Sequence, residues 1–592
     1  MILKALYDYY HRCGDLPPEG MELKEIAFVI VIDEAGNFVR IEDNRIDKKR
    51  CHAFMVMRGS RSGTTPKPYL FWDNVEYVLN YTKNHEPLSE SDSNDENKVA
   101  EREKEIGKSQ NKHDALIKHY ESISKRFPSN KSFRAVCEFY SHSQLEQVKE
   151  DPLWTEIAKK PTVNISFRLN GCNEIVAENS DLLQLVADSH TDDTHPKNEH
   201  VCLVSGEYGE LVESTSPSAI PSGQPTGGRL VAFQVNQGYD SYGKNKCFNA
   251  PISKASESAY TTALKTLLAK ESRNKFFIGN RTFLFWASSN SEAAKKTESC
   301  YGMLFDYSPT DDNDDPNAGV EQVRKVFESI YLGILHVGDD EKFYILGLSP
   351  NSARIAVVYW QEIGLKEFAG NILKHFQDME IIDNRKDKRP YSGLRDVLRA
   401  SLPNANTKDV QPNLPETVMK SIMHGTPYPY SLYMACLKRI RAMQNVGIGQ
   451  ASIIKAYLNR STDFKNNKKI DIMLDKENSN CGYLCGRLFA ILERLQLAAN
   501  DYKNSNIGER YMNAASATPA TVFPTLLNLS VHHAEKLDGG PNKTYLEKLK
   551  GEVIDRIPAE GFPSHLDLTD QGRFMVGYYH QRQEFFKPKG DK

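Results

Sequence analysis

The sequence has no long hydrophobic run, no CxxC cysteine pair and almost no net charge. An early apolar stretch, residues 26–32, is far shorter than the ~20 residues that a bilayer crossing needs. The start shows no apolar stretch behind a basic segment, so a cleaved signal peptide is not predicted. These features predict a cytoplasmic protein with no membrane partner.

Cysteine is thinly spread, with 10 in 592 residues. Cys481 and Cys485 lie close together, but no second pair follows that could complete a zinc site. Reduced thiols in a cytosolic protein, and no bound metal or cofactor, are therefore expected.

The charges nearly cancel, since Lys+Arg number 75 against 78 Asp+Glu, a net charge of -3. This balance excludes a uniformly basic nucleic-acid binder. A hydrophobic share of 40% with 26% charged residues is typical of a globular protein, and the length predicts several domains.

Four segments are predicted from composition and periodicity. They are an N-terminal α/β part (1–85), a charged linker and helical segment (86–158), an α+β domain (159–402) and a C-terminal helical bundle (403–592). The fold class is α+β, a mixed N-terminal region followed by an all-α bundle. Residues 86–114 are almost wholly polar and form either an exposed helix or a loose linker.

Apolar runs and periodicity predict the individual elements. Strands are expected at 26–32, 53–57, 163–169, 230–235, 282–287, 343–348 and 354–359. Helices are expected at 258–269, 320–336, 431–443, 450–459, 484–495, 521–537, 546–557 and 569–586.

Two glycine motifs resemble nucleotide-binding loops and fail on inspection. Residues 223–230 match a P-loop in part, but Arg229 and Leu230 replace its Lys and Ser/Thr, and a strand is predicted to follow. Gly447 and Gly449 follow a basic helix rather than a strand, so a turn between two helices is the better interpretation.

Two histidine pairs could suggest metal chemistry. His113-Asp114 lies in the polar segment, and an exposed charged helix explains it more simply. His532-His533 lacks the i, i+4 spacing that would place both rings on one zinc ion. No GxSxG nucleophile motif occurs. The sequence therefore predicts no catalytic site, and no cofactor.

Positive charge is concentrated in three stretches. Residues 40–68 hold eight Lys/Arg against three Asp/Glu, residues 222–281 nine against three, and residues 430–470 eight against one. Local positive potential on a near-neutral protein favours binding of a polyanion. Residues 237–246 add Gly, amide and aromatic side chains, which suit contact with base edges as well as phosphate. A glycine-containing hairpin turn explains that stretch equally well.

Longer motifs carry a resemblance to a known family. They are DSYGK (240–244), NAPIS (249–253), AYTTAL (259–264), FWA (285–287), SPNSAR (349–354), GRLFA (486–490) with Glu493, RY (510–511), AASATP (514–519) and GYYHQ (577–581). In this order the chain resembles the large subunit of the type I-C CRISPR surveillance complex (Cascade), of the Dvulg subtype.

The resemblance implies a non-catalytic subunit that recognises the protospacer-adjacent motif in double-stranded target DNA. It also implies a role in opening the duplex and in recruiting a separate helicase-nuclease, while the guide CRISPR RNA reads sequence by base pairing. The other Cascade backbone, foot and small subunits are the expected protein partners, and the 403–592 bundle resembles the small subunit.

The resemblance and the charge pattern together select candidate residues. Candidates for reading the adjacent motif, placed on 223–249 within the 159–402 domain, are Gln224, Gly227, Gly228, Arg229, Gln237, Ser241, Tyr242, Lys244, Asn245, Lys246 and Asn249. Candidates for contact with the nucleic-acid backbone are Lys48, Lys49, Arg50, Arg58, Arg61, Lys438, Arg439, Arg441, Lys455 and Arg460. A metal-dependent nuclease using the histidine pairs, and a purely structural scaffold of a ribonucleoprotein, remain as alternatives.

Overall fold

The structure is a computed structural model that describes most of the chain. It leaves out residues 48–49, 60–64, 87–94, 190–198, 225, 235–240, 279, 306–317, 385–392, 404–409, 412, 462–468, 500–506, 538–540 and 588–592. The candidates Lys48, Lys49, Arg61 and Gln237 therefore lie outside the described residues.

The described elements follow one another as strands and helices in the first two thirds and as helices thereafter. The strands are β1 (Met21–Glu25), β2 (Phe28–Ile32), β3 (Phe38–Asp43), β4 (Ala53–Met57), β5 (Trp72–Asn74), β6 (Asn164–Leu169), β7 (Glu199–Val201), β8 (Tyr208–Glu210), β9 (Lys275–Ile278), β10 (Arg281–Ala287), β11 (Lys342–Asn351) and β12 (Arg354–Gly364). The α-helices are Ile2–Arg12, Val75–Leu79, Glu96–Arg126, Lys131–Ser141, Leu145–Glu150, Trp154–Lys159, Asp181–Ser189, Lys254–Leu268, Glu292–Phe305, Ala318–Tyr331, Leu365–Met379, Leu394–Ala400, Leu414–His424, Tyr430–Met443, Ile448–Arg460, Cys481–Ala499, Ile507–Ala517, Pro519–Glu535, Pro541–Ile554 and Leu568–Phe585.

The chain divides into two compact units. The first comprises Met1–Arg12, Pro217–Val231 and Lys265–Lys592, and the second comprises Cys13–Ser216 and Ala232–Leu264. Each unit has its own apolar core. The division into four segments made from the sequence stays a prediction.

The second unit is built on a four-stranded sheet of order β3-β2-β6-β5, in which β2 and β6 are parallel and the other pairs are antiparallel. Every residue of β2 is buried, which confirms a strand in the 26–32 stretch. The helix Lys131–Ser141 packs on this sheet, with the rings of Phe139 and Phe167 at 5.4 Å. An antiparallel pair, β1 and β4, confirms the strand predicted at 53–57.

The polar segment 86–114 is helical where it is described. The helix Glu96–Arg126 begins at Asp95, whose side chain accepts hydrogen bonds from the backbone N–H groups of Asn97 and Lys98. His113, expected on an exposed face, is buried and its Nδ1 donates to the Tyr77 carbonyl at 2.7 Å. That expectation was wrong because the helix turns one side of its second half into the core.

The first unit carries an antiparallel sheet of order β12-β11-β10-β9. On one face Trp286, Tyr344 and Trp360 form an aromatic cluster, and the helix Ile2–Arg12 packs there with Tyr9 at 6.3 Å from Trp286. On the sheet, Phe343 stacks at 4.5 Å on Phe368 of the helix Leu365–Met379. The predicted strands at 282–287, 343–348 and 354–359 are confirmed.

Two predicted elements differ from the structure. Residues 230–234 form no strand, because pairing with β12 is limited to the single bridge at Arg229, while residue 235 lies outside the described part. The helix predicted to reach residue 336 ends at Tyr331, since Gly333 takes a left-handed φ of 77° that terminates it. Ile334, which follows this glycine, is 75% exposed.

The described residues after 403 contain helices and no strand, which confirms the all-α C-terminal part and the α+β class. The helices Cys481–Ala499 and Leu568–Phe585 cross in close contact at two glycines. A Cβ on Gly486 would lie 2.0 Å from the Phe574 carbonyl oxygen, and one on Gly577 would lie 2.3 Å from that of Tyr483. Within the described residues, no helix combines the length and apolar character that a bilayer crossing requires.

Gly486→Ala is expected to lower the free energy of unfolding by about 1–3 kcal/mol, because the new methyl group must push two helix backbones apart. The matched control is Gly551→Ala in the helix Pro541–Ile554, where an added Cβ meets nothing within 4 Å. That control should be neutral or slightly stabilising. Calorimetric melting of both variants checks the prediction, and equal melting temperatures would contradict it.

Candidate nucleic-acid interface

The described residues of the stretch 217–231 in the first unit, here the glycine loop, form a narrow turn. Ser218 and Gly228 form an antiparallel bridge in which each N–H donates to the other residue's carbonyl, at 2.8 and 2.9 Å. Closer to the tip, the N–H of Gly227 donates to the Gln224 carbonyl at 2.9 Å. The side chains of Gln224 and Thr226 are exposed. The loop therefore presents an amide to solvent from a backbone held by hydrogen bonds.

Two glycines allow this turn to pack closely. Gly227 has a φ of 78°, and a Cβ there would lie 2.8 Å from the Ser218 carbonyl oxygen. A Cβ on Gly228 would lie 2.9 Å from the carbonyl oxygen of Arg354. Any other residue at either position would force the loop off its support.

The glycine loop is supported by the start of β12. Arg229 and Arg354 form a parallel bridge, in which Arg229 N–H donates to Ala353 and Ile355 N–H donates to Arg229, at 3.0 and 2.9 Å. The Arg354 side chain is exposed and forms no ion pair with any described residue. The motif SPNSAR ends at this arginine, but the sequence reasoning did not select Arg354 as a site residue.

Residues 241–249 of the second unit, here the tyrosine loop, hold an aromatic ring in solvent. Tyr242 is 95% exposed, and both Tyr242 and Gly243 take left-handed φ values of 58° and 68°. Cys247 is buried and anchors the loop, while Asn249 Nδ2 donates to the Lys244 carbonyl at 3.1 Å. A ring this exposed has no role in packing the described core.

The two lysines of the tyrosine loop differ in their surroundings. Lys246 Nζ lies 2.8 Å from a carboxylate oxygen of Glu213, and this hydrogen bond lowers the Glu213 pKa. Lys244 and Asn245 are exposed, and Lys244 has no acidic partner among the described residues. The positive charge that remains uncompensated in this loop is that of Lys244.

The sequence placed the candidates for reading the adjacent motif on residues 223–249. The structure assigns the glycine loop to the first unit and the tyrosine loop, with Ser241 to Asn249, to the second. Each loop is therefore a candidate surface in its own right.

The basic stretch 430–470 separates into exposed and buried cations. Lys438 is exposed, Arg439 is partly exposed, and Arg441 donates to the side-chain oxygen of Gln571. Lys455 is 2% exposed, and burial lowers its pKa.

Arg460 is a structural residue in the described fold. Its Nε lies 2.6 Å from Asp378, its Nη1 donates to the carbonyls of Ser421 and Thr426, and its guanidinium lies 4.3 Å from the ring centre of Tyr428. Lys455 and Arg460 were candidates for contact with the nucleic-acid backbone. Their burial conflicts with that role, because neither side chain reaches the solvent where a phosphate would bind.

The cations of the 40–68 stretch that are described have local partners. Arg50 pairs with Asp47 at 2.6 Å. Arg58 donates to Thr261 at 2.7 Å and lies 3.6 Å from Glu257, with only 11% of its side chain exposed. Arg58 therefore holds the start of the helix Lys254–Leu268 in place.

The residues considered for metal chemistry are not brought together. His113 is buried against the Tyr77 backbone, whereas Asp114 is exposed and accepts a hydrogen bond from Gln110. His532 lies 3.6 Å from Glu535 on the helix surface. Among the described residues, no group of three or more His, Cys, Asp or Glu side chains is arranged to hold a metal ion.

Comparison with known proteins bears on these two loops. No curated protein matches the chain. One known family, described as CRISPR-associated protein (Cas_Csd1), matches residues 6–586 and so includes both loops and the helical region. With nearly its whole length matched, the chain belongs to the Cas_Csd1 family of CRISPR-associated proteins, the large subunit of the type I-C surveillance complex.

Proposed function

We propose that this chain is the non-catalytic subunit that recognises the protospacer-adjacent motif in double-stranded target DNA. It then promotes opening of the duplex and supports recruitment of a separate helicase-nuclease. Its family indicates a CRISPR-associated complex with a guide RNA and other Cas proteins. In such a complex, pairing with the guide reads the target sequence, so the protein has only a short motif to recognise.

The observation that carries the proposal is the exposed amide of Gln224 on the glycine loop. Amide groups both donate and accept hydrogen bonds, which suits them to base edges in a groove. The loop is narrow because Gly227 and Gly228 leave no side chain on its support. Arg354, exposed beside it and without an acidic partner, is available to a phosphate and would orient the loop on the duplex.

The tyrosine loop supports the duplex-opening part of the proposal. Side chains inserted between base steps unstack them and kink the duplex, at a cost of a few kcal/mol per step. The exposed ring of Tyr242 is suited to that insertion, and Lys244 two residues later is suited to hold the neighbouring phosphate. In this proposal the glycine loop reads the adjacent motif, and the tyrosine loop opens the duplex.

Gln224→Ala is expected to reduce discrimination between targets that differ only in the adjacent motif. Loss of a base-edge amide contact removes about 1–3 kcal/mol of discrimination. The measurement is binding of the guide-loaded complex to matched and altered duplexes. Thr226→Ala on the same loop is the control and should keep full discrimination. A Gln224→Ala complex as selective as wild type would contradict motif reading by this residue.

Lys244→Ala is expected to weaken binding of duplex DNA and to lower the slope of log K against log salt by about one, since one phosphate contact is lost. Lys246→Ala should change the slope less, because Glu213 already compensates that charge.

Lys149→Ala is the control for net charge. Lys149 is an exposed lysine of the same unit, and it pairs with Glu146 at 2.7 Å. Equal slopes of log K against log salt for Lys244→Ala and Lys149→Ala would show that Lys244 does not contact DNA. A complex that binds every target regardless of motif would instead favour the scaffold alternative.

Purified chain incubated with duplex and single-stranded DNA in magnesium or manganese is expected to leave both substrates intact. Cutting that stops on chelation would favour the nuclease alternative. His113→Ala and His532→Ala would then test the two histidine pairs, each compared for melting temperature because His113 is buried.

A further inference from the structure

The helical part of the first unit contains a cavity of about 430 Å³. It lies where the end of the helix Leu394–Ala400 meets the last turn of Tyr430–Met443 and the start of Ile448–Arg460. This volume falls in the range of small-molecule sites, and it exceeds what a bound water needs.

The described residues that line the cavity include two arginines and no carboxylate. Arg399 is exposed and Arg439 is partly exposed, and neither forms an ion pair with a described residue. Guanidinium groups stay protonated at any physiological pH. The cavity therefore carries a positive charge that no described lining residue neutralises, and this charge favours binding of an anion.

The fold brings these two arginines together from positions 40 residues apart in the chain. A Cβ on Gly449 would lie 2.9 Å from that of Ala400, so a glycine there lets the two helices meet. Gln450 Nε2 then donates to the Ala400 carbonyl at 2.8 Å. These contacts hold the end of the helix that carries Arg399 against the helix Ile448–Arg460.

Asn445 adds an amide to the lining of the cavity. Its side-chain oxygen accepts a hydrogen bond from Arg582 at 3.0 Å, which leaves the Asn445 NH₂ group able to donate. Arg582 is itself held at 3.2 Å by the hydroxyl of Tyr578, which donates to the buried Glu493 at 2.7 Å. The orientation of Asn445 is therefore set from the last helix of the bundle.

The lining also includes apolar side chains. Leu402 is buried, and Met443 is 52% exposed although it faces a charged cavity. A thioether is polarizable and adapts to flat or irregular partners such as a base or a sugar. A lining that combines two arginines and an amide with apolar side chains matches a phosphate that carries an organic substituent.

We propose that this cavity binds a phosphate group attached to a nucleoside. Arg399 and Arg439 are its ligands through charge-assisted hydrogen bonds, Asn445 is an additional donor, and the sugar or base packs on Met443. The phosphate belongs either to a nucleic-acid strand or to a free nucleotide, and the inference rests on the proposed nucleic-acid function where a strand is its source.

The test uses the full chain without guide RNA, so that its outcome does not depend on motif reading. Binding of a labelled single-stranded oligonucleotide is measured by anisotropy, and binding of adenosine monophosphate by calorimetry. Arg399→Gln and Arg439→Gln are each expected to weaken binding at least 10-fold. Lys420→Gln, which removes an exposed lysine of the helix Leu414–His424 outside the cavity lining, should change it less than 2-fold.

The two ligands distinguish the sources of the phosphate. If the variants weaken binding of the oligonucleotide and the monophosphate does not bind, the cavity binds a phosphate of a nucleic-acid strand. If binding of both ligands is weakened equally, the cavity binds a free nucleotide. Wild-type affinity in the Arg399→Gln/Arg439→Gln double variant would overturn the proposal.

Met443→Glu is a second variant, chosen because this half-exposed side chain is not needed for the core. Its carboxylate should repel the phosphate and weaken binding at least 10-fold with an unchanged melting temperature. Unchanged affinity in Met443→Glu would also overturn the proposal. Motif discrimination by the guide-loaded complex is measured in parallel, so that failure of motif reading and failure of the cavity are told apart.

Discussion

The cost of leaving a charge without a partner away from water organises this molecule. A buried ion requires a close counter-charge or several hydrogen bonds, because its desolvation costs several kcal/mol. Arg460 meets that requirement with Asp378 and two carbonyls, and Arg58 meets it with Glu257 and Thr261. These cations are part of the fold. Among the described residues, Lys244, Arg354, Arg399 and Arg439 have no such partner and are available to a polyanion.

Close backbone contacts at glycines position the polar side chains of the glycine loop and of the cavity. Gly227 and Gly228 seat the glycine loop on the Ser218 and Arg354 backbones, and Gly449 lets two helices meet beside the cavity. The same device at Gly486 and Gly577 joins the two central helices of the bundle. Rigid presentation of a few polar side chains therefore depends on glycines at positions where a larger residue would clash.

Much of the secondary structure could be predicted because it depends on local pattern. The unbroken apolar run of β2 and the helical spacing of Leu484, Leu488 and Leu495 report burial directly. The errors have identifiable causes. Residues 230–234 are apolar enough for a strand but lack a partner edge, and Gly333 stops a helix whose periodicity continues through Ile334. His113 is buried because a long polar helix still has one face toward the core.

The sequence by itself determined the order of strands and helices, the near-neutral charge with its three basic stretches, and the family through motifs spread along the chain. The tertiary structure alone decided which cations are free, because ion pairs such as Lys246 with Glu213 join residues 33 positions apart. It also decided that Arg399 and Arg439 share one cavity. Composition counts charges along the chain, whereas burial and pairing depend on neighbours that only folding brings within hydrogen-bond distance.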